Sequence, residues 1–165
     1  MTPEFWRGRR VLLTGHTGFK GAWLGLWLER LGADVGAVAL APDTEPSLYQ
    51  ALSPWPRLDG ALGDLRDPAV AVEAVAGAAP EIVFHLAAQA LVRRSHAEPA
   101  ATFETNVSGT VNLLEALRKA PSVKALVVVT SDKVYANDGR GGAFGEDDPL
   151  GGADPYSASK ACQDL

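Results

Sequence analysis

The sequence predicts an α/β fold organised around a doubly wound parallel sheet. Short apolar runs of strand length alternate with longer segments of helical periodicity, and glycines and prolines separate them. Such alternation is typical of stacked βαβ units, whose helices cover both faces of a parallel sheet. With 165 residues, 47% of them hydrophobic and 21% charged, the chain is long enough for one globular domain with its own core.

The strands are predicted at five apolar runs, which are residues 11–14, 35–40, 61–63, 82–86 and 125–129. The last run is apolar and β-branched, so we expect it to be buried on both faces of the sheet. Residues 41–58 contain Pro42, Pro46, Pro54 and Pro56, and this density of prolines predicts a loop without regular structure.

The first long helix is predicted at residues 19–31, where Trp23 and Trp27 share a stripe with Leu31. This stripe predicts a helix packed on the sheet. We expect all four tryptophans to be packing residues, and we expect Cys162 to be a buried small side chain.

Later helices carry clear start signals. Asp67-Pro68 and Asp154-Pro155 each combine an N-cap acid with a proline in the first turn. Apolar residues at helical spacing predict a longer helix over residues 103–117. Because the chain stops at Leu165, within the last helix, we expect the fold to be incomplete at its carboxyl end.

Composition excludes several classes of protein. Fifteen Lys and Arg against 20 Asp and Glu give a net charge of -5, which disfavours nucleic-acid binding by bulk electrostatics. No apolar run approaches the roughly 18–20 residues of a membrane span, and the amino terminus lacks a signal-peptide pattern. The single cysteine excludes an internal disulfide and a cysteine-rich metal site. We expect a cytoplasmic protein with no bound metal.

The first chemical motif lies between the first strand and its helix. Gly15, Gly18 and Gly21 form a G-x-x-G-x-x-G pattern in which glycines let the backbone approach a pyrophosphate at the helix amino terminus. A glycine-rich turn without a ligand is the alternative. The end of the second strand has no acid at its tip, although Asp43 follows nearby, and residues 31–56 contain no Lys or Arg to bind a 2′-phosphate. The pattern favours NAD over NADP.

The second motif is Tyr156-x-x-x-Lys160 on the last helix. Residues four apart share one helix face, and an ammonium beside a phenol favours the phenolate, which is a usable base. An ordinary surface pair is the alternative. Thr130 to Tyr135 leave the tip of the fifth strand, where open α/β sheets bind ligands, and Ser131, Asp132 and Lys133 offer a donor, an acid and a base. The alternative there is a polar turn.

Together these motifs resemble the extended short-chain dehydrogenase/reductase superfamily, which has a Rossmann-type fold. Further markers are Gly63-Asp64, His85-Leu86-Ala87-Ala88 and Asn106-Val107-x-Gly109-Thr110. Within the superfamily the chain most resembles the family of CDP-glucose 4,6-dehydratases, on stretches that include Gly15-His16-Thr17-Gly18-Phe19-Lys20-Gly21, Thr44-Glu45-Pro46-Ser47-Leu48, Ala88-Gln89-x-Leu91-Val92-Arg93 and Thr130-Ser131-Asp132-Lys133.

The resemblance implies a cofactor, a substrate and site residues. NAD would oxidise C4 of a nucleotide-linked glucose, CDP-glucose by this resemblance, before water leaves across C5 and C6 and hydride returns to C6. Tyr156, Lys160, Ser131, Asp132 and Lys133 would be catalytic. The resemblance places cofactor contacts at Gly15, Thr17, Gly18, Phe19, Lys20, Gly21, Asp64, Leu65, Leu86, Ala87, Ala88, Asn106, Tyr156 and Lys160, and substrate contacts at Gln89, Arg93 and Ser131.

The resemblance also bears on domain organisation. Residues 1–165 are interpreted as the NAD-binding domain, with the substrate-binding part absent, so we expect little or no activity from this chain alone and exposed apolar faces where the missing part would pack. Members of the family commonly form homo-oligomers. Two other interpretations stay open, a nucleotide-sugar 4-epimerase of the same superfamily and a non-catalytic dinucleotide-binding module.

Overall fold

The computed structural model describes residues 3–53, 55, 58–137, 139 and 141–165. All strands of the sheet are parallel, in the order β3-β2-β1-β4-β5. They are β1 (Arg10–Thr14), β2 (Asp34–Ala39), β3 (Leu58–Leu62), β4 (Ile82–His85) and β5 (Ala125–Val128). The predicted strand positions are confirmed to within one or two residues, except that β3 begins three residues earlier than the run at 61–63.

Helical segments connect the strands. They are α1 (Pro3–Trp6), α2 (Phe19–Arg30), α3 (Leu48–Ala51), α4 (Pro68–Ala78), α5 (Val92–Ala97), α6 (Pro99–Phe103), a π-helical turn (Glu104–Ser108), α7 (Gly109–Leu117), a 3₁₀ turn (Asp132–Val134) and α8 (Pro155–Asp164). The predicted helix over residues 103–117 is thus interrupted by the π-helical turn. Within the described ranges, none of these helices is long and apolar enough to cross a membrane.

Each face of the sheet has its own apolar core, because alternate side chains of a strand point to opposite faces. Leu12 and Val83 pack with Leu113 on the face covered by α4 and α7. Leu13 packs on the opposite face with Leu28 of α2. Helices on both faces of a parallel sheet confirm the predicted doubly wound architecture.

The prediction for the stripe of α2 is wrong. Trp23 and Trp27 are 50% and 65% exposed, and the helix instead faces the sheet with Gly21, Ala22 and Gly25. The reason is the short distance between helix and sheet: a Cβ at Gly25 would lie 2.8 Å from a methyl of Leu58. Large rings cannot fit there, so they lie on the outer side. Trp6 is buried and Trp55 is half-buried, as expected of packing residues.

Strand β5 is also less buried than predicted. Ala125 and Val127 are exposed, and Leu126 and Val128 are only half-buried. The two exposed residues pair in register with Ile82 and Phe84 of β4, on the same face as α2. No described helix covers the β5 end of the sheet on this face, so an apolar strip of the sheet is exposed. The sequence predicted such exposed apolar faces.

In the described part of the predicted loop over residues 41–58, residues 48–51 form α3 and Leu58 already begins β3. Ser47 accepts a hydrogen bond from the backbone N–H of Gln50 at 3.2 Å, and the Gln50 side chain returns a contact to Ser47 N, which forms a capping box. The prolines concealed this local signal. Pro54 and Pro56 lie outside the described residues.

Both predicted helix starts are confirmed. Asp67 caps α4 by accepting from Ala69 N at 2.9 Å, and Asp154 caps α8 by accepting from Ser157 N at 3.0 Å. These caps satisfy N–H groups that have no partner within the helix. The cap at Asp154 therefore fixes where α8 begins, and with it the placement of Tyr156 on the first turn.

Candidate active site

The glycine loop is folded as tightly as its sequence predicts. Gly15 has a φ of 78°, and a Cβ there would lie 2.7 Å from the backbone nitrogen of Ala87. A Cβ at Gly21 would overlap the carbonyl oxygen of Gly15. Glycine is thus required at both positions, because the loop is pressed between the end of β4 and the first turn of α2.

The amino terminus of α2 is suited to an anion. Its N-cap residue, Gly18, has no side chain to cap the helix, so the first-turn N–H groups of Phe19, Lys20 and Gly21 face outward from the loop. Phe19 is 71% exposed and Lys20 is exposed beside it. This cradle of glycine backbone and free N–H groups fits a dinucleotide pyrophosphate.

The ends of β2 and β3 complete this side of the site. Thr17 donates a hydrogen bond to the carbonyl oxygen of Leu40 at 2.8 Å, which ties the glycine loop to the end of β2. Asp43 is exposed in the following segment. Asp64 follows β3 and pairs with Arg66 at 2.5 Å, and this hydrogen bond lowers the pKa of the Asp64 carboxyl. Leu65, by contrast, is buried in the core at 7% exposure.

Residues after β4 are held by Thr14 of β1. Its hydroxyl oxygen accepts from the backbone N–H groups of Leu86 at 3.2 Å and Ala87 at 3.1 Å. The segment that also includes Ala88 therefore lies directly beside Gly15. The carboxyl ends of β1 and β4 meet here, at the centre of the strand order, which is where open α/β sheets bind ligands.

Asn106 joins this segment to α8 from a fully buried position. Its amide nitrogen donates to Gln89 O at 3.1 Å and to Ser159 Oγ at 2.8 Å, and its oxygen accepts from Gln89 N at 2.7 Å. The side chain of Gln89 bonds to Thr102 at 3.0 Å, and Arg93 is exposed on α5. Asn106 thus fixes the loop after β4, with its own amide enclosed by protein.

The turn after β5 packs against α8. Ser131 Oγ accepts from Lys133 N at 3.1 Å and lies 3.1 Å from Asp132 Oδ1, while the side chains of Asp132 and Lys133 are exposed. Tyr156 is 9% exposed on the first turn of α8. The structure therefore brings the two predicted catalytic motifs together at one edge of the sheet.

A cleft opens beside this turn. Tyr135 and Phe144 stack with ring centroids 4.9 Å apart on one side of it. Further lining residues are Asp132, Lys133, Asn137, Asp154 and Ser157. The predicted acid and base thus face a space into which a substrate can enter.

Lys160 lies deeper, at 5% exposure. Its ammonium donates to the carbonyl oxygen of Val129 at 2.9 Å and to Gln163 Oε1 at 2.6 Å. Burial, with a smaller contribution from the charge of Lys20, lowers the pKa of Lys160 to about 8.

A buried hydrogen-bond chain continues from Gln163 to β1. Gln163 Nε2 donates to Thr110 Oγ1 at 2.7 Å, and the Thr110 hydroxyl donates to the carbonyl oxygen of Asn106 at 2.6 Å. His85 lies between the two threonines, with Nε2 at 2.9 Å from Thr110 Oγ1 and Nδ1 at 2.7 Å from Thr14 Oγ1. Because Thr110 has given its proton to Asn106, His85 Nε2 must carry the hydrogen and Nδ1 must accept.

Two histidines are therefore held neutral. Burial, reinforced by the charge of Lys160, lowers the pKa of His85 to about 4. His16 is also fully buried, packs edge-on against Tyr49 with ring centroids 5.1 Å apart, and has its pKa lowered by burial. The contacts of His85 to both threonines give it a structural role.

Several site residues were missed from the sequence. Thr14, Thr110, Ser159 and Gln163 all form hydrogen bonds in the buried interior around Lys160 and Asn106. For Gln163 a signal existed, since it lies three residues after Lys160 and so on a neighbouring helix face. Cys162 was expected to be buried but is exposed, because it lies on the opposite side of α8 from Lys160.

Comparison with known proteins gives a family for this fold and site. Residues 11–165 match the model of the NAD dependent epimerase/dehydratase family. The chain belongs to this family. Its sequence is 48% identical over 162 residues to CDP-glucose 4,6-dehydratase of Salmonella typhimurium, covering 98% of this chain and 45% of that protein. It is 36% identical to dTDP-glucose 4,6-dehydratase of Streptomyces griseus, covering 94% of this chain and 47% of that protein.

Solved structures of the family share the fold. A dTDP-glucose 4,6-dehydratase of Streptomyces venezuelae with NAD bound superposes with a TM-score of 0.83 at 33% identity, over 94% of this chain and 49% of that one. UDP-glucose 4-epimerase of Thermotoga maritima gives a TM-score of 0.81 at 27% identity, over 93% and 48%. The chain thus spans about half the length of the relatives it matches.

The close packing of the glycine loop predicts that Gly21→Ala destabilises the protein. The new methyl group collides with the Gly15 carbonyl, and we expect a loss of about 1–3 kcal/mol in the free energy of unfolding, measured by denaturant titration. Gly77→Ala is the matched control, because a Cβ at Gly77 of α4 meets nothing within 4 Å. There we expect a gain of about 0.5–1 kcal/mol. Equal effects at the two glycines would contradict the loop packing.

The buried neutral His85 predicts acid sensitivity. Its pKa is about 4 in the folded protein against 6.5 for an unperturbed imidazole, so the unfolded state binds more protons between these values. Stability is fully present above about pH 6.5 and falls as the pH drops towards 4, by on the order of 3 kcal/mol for His85, with His16 acting in the same direction.

Imidazole NMR and denaturant titration across this pH range measure the effect. The His85 ring should stay neutral, with its proton on Nε2, until unfolding begins. A His85 ring that ionises near the pKa of an unperturbed imidazole, while the protein stays folded and equally stable, would refute the prediction.

Proposed function

We propose that this chain is the cofactor-binding and catalytic part of an NAD-dependent nucleotide-sugar 4,6-dehydratase, a hydro-lyase, with CDP-glucose as the substrate. The observation that carries the proposal is the turn of Ser131, Asp132 and Lys133 packed against the helix of Tyr156 and Lys160. A redox step alone needs the hydroxyl, phenol and ammonium. Elimination of water needs an acid and a base as well, and this turn supplies both.

The residues fit NAD. The glycine cradle at Gly15, Gly18 and Gly21 and the open N–H groups of α2 would hold the pyrophosphate. The segment 86–88 after β4 and the buried Lys160 would face the nicotinamide riboside, and Asp64 would lie toward the adenosine. When bound, NAD supplies a hydride acceptor for C4 of the sugar and later a hydride donor for C6.

In the first step, Tyr156 removes the proton from the sugar 4-hydroxyl. Lys160, one helical turn further along α8, would donate from its ammonium to the ribose of the cofactor. Ser131 donates a hydrogen bond to the same sugar oxygen as it becomes a carbonyl, which stabilises the developing charge. The 4-ketone then acidifies the proton on C5.

In the second step, Asp132 protonates the departing 6-hydroxyl, and Lys133 accepts the proton from C5. With the bound cofactor supplying a hydride for C6, Lys133 would return the same proton to C5, which would leave a 4-keto-6-deoxy sugar. Lys133 is exposed in the structure. Because an amine must be neutral to act as a base, bound substrate has to enclose Lys133 for this role.

The proposal competes with two others. A nucleotide-sugar 4-epimerase needs no acid for elimination, so Asp132 has no task in it. A non-catalytic dinucleotide-binding module has no need of Tyr156 and a buried Lys160 on the same helix. Assembly as a homo-oligomer, location in the cytoplasm, and a place in deoxysugar synthesis for lipopolysaccharide stay predictions.

Titration of NAD into the purified chain by calorimetry tests the cofactor. We expect micromolar binding of NAD and weaker binding of NADP, because residues 31–56, which include β2 and the segment after it, contain no Lys or Arg to bind a 2′-phosphate. Gly18→Asp is the informative variant, since it places a carboxylate where the pyrophosphate would lie and should abolish binding. A wild-type chain that binds neither dinucleotide would overturn the proposal.

Asp132→Asn separates dehydratase from epimerase. Without an acid for the 6-hydroxyl, we expect water loss from CDP-glucose to fall by about 10²–10⁴-fold while C4 oxidation persists. Because little activity is expected from a chain that spans half the length of its relatives, single-turnover assays at high protein concentration are used, and they follow reduced cofactor and keto sugar separately. Asp147→Asn, at an exposed aspartate, is the control. Equal loss of both steps would contradict the role of Asp132.

A further inference from the structure

The ammonium of Lys160 is held by two neutral oxygens. Val129 O and Gln163 Oε1 each accept one of its N–H groups, at 2.9 and 2.6 Å, in a pocket that leaves the residue 5% exposed. An ammonium has three N–H groups, so one remains for a further acceptor. The positive charge is not neutralised by either oxygen.

The orientation of the Gln163 amide is fixed at both ends. Its oxygen faces the ammonium of Lys160, and its nitrogen donates to Thr110 Oγ1 at 2.7 Å. A flipped amide would put NH₂ against the ammonium and an oxygen against Thr110, whose proton is already donated to Asn106 O. Lys160 is thereby linked through Gln163 and Thr110 to His85 and β1.

The groups around Lys160 leave its charge uncompensated. His85 of β4 is neutral, and Lys20 of α2 is a like charge. Asp164, on the same helix, lies 3.0 Å from the hydroxyl of Thr130, to which it is hydrogen-bonded. In the described part of the chain, Lys160 forms no ion pair with a carboxylate.

We propose that Gln163 is a positioning residue that fixes the ammonium of Lys160 through a neutral amide, so that one N–H and the full positive charge are directed at the cofactor and Tyr156. The role of Lys160 towards the cofactor rests on the proposed function. The position of its ammonium rests only on the hydrogen bonds to Val129 and Gln163. A carboxylate at position 163 would hold the ammonium more strongly than the amide does. It would also offset the positive charge of the ammonium, which the neutral amide leaves in place.

Two variants at one position test this inference through opposite effects. In Gln163→Glu the carboxylate pairs with Lys160, and we expect the pKa of Lys160 to rise by about 1 or more from its value of about 8. In Gln163→Leu the buried ammonium loses an acceptor, and its pKa should fall. Carbon-13 NMR of labelled lysine side chains measures both values, since the chain contains only five lysines.

Controls make the readout specific. The lysine NMR signal that disappears in Lys160→Arg is the signal of Lys160. Cys162→Ser, at an exposed position of the same helix, should leave the pKa of Lys160 unchanged. If Gln163 only fills space, Gln163→Glu and Gln163→Leu should change the pKa of Lys160 in the same direction or leave it unchanged. Either of those results overturns the proposal.

NAD titration of the same samples separates this inference from the proposed function. We expect Gln163→Glu to weaken NAD binding roughly tenfold, the size of one charge-assisted hydrogen bond. Unchanged affinity in that variant would overturn the proposed use of Lys160. A wild-type chain that binds no NAD would overturn the proposed function, and the opposite pKa changes alone would then decide the role of Gln163.

Discussion

The buried polar chain from Thr14 to Lys160 is the constraint on which the site depends. It crosses four elements, since Thr14 lies in β1, His85 in β4, Thr110 in α7 and Lys160 in α8. A polar group removed from water costs free energy unless each donor and acceptor is paired. The pairing is satisfied in one arrangement of protons only, with His85 neutral, so the relative positions of these elements are fixed together.

The same buried hydrogen bonds also position the strand ends beside the glycine loop. Thr14 gives its proton to His85 and accepts from the N–H groups of Leu86 and Ala87, so the segment against which Gly15 packs is aligned by the buried network. The glycine loop and the Tyr156–Lys160 helix are far apart in sequence. They become parts of one site because a continuous set of hydrogen bonds joins the strand tips to α8.

Local sequence signals predicted much of this arrangement. The N-cap acids Asp67 and Asp154 and the glycine loop act through neighbouring residues, and each was found where the sequence placed it. The prediction that the stripe of Trp23 and Trp27 packs on the sheet was wrong. Helical periodicity shows that a helix has two faces, but it does not show which face meets the sheet. The Gly21 and Gly25 face was the buried one, since the sheet and the glycine loop leave no room for rings.

Contacts between distant residues could not be predicted in this way. Gln163 meets Thr110, and Asn106 meets Ser159, each across 53 positions of the chain. No periodicity or spacing records such a pair. The same limit explains β5, whose apolar sequence predicts burial on two faces although Val127 is 44% exposed. A strand sequence records which surfaces favour burial, and the rest of the fold determines whether they are covered.

Lys160 is a buried ammonium that is held by neutral hydrogen-bond acceptors and not by a carboxylate. Burying an ammonium without a carboxylate lowers its pKa to about 8 and makes the folded state less stable than a paired lysine would. A counter-ion would remove that cost but would also offset the positive charge that the proposed mechanism assigns to Lys160. Neutral acceptors at Val129 and Gln163 hold the ammonium in place without cancelling its field. Position and charge are thereby separated, and this separation explains an amide where a carboxylate would bind lysine more strongly.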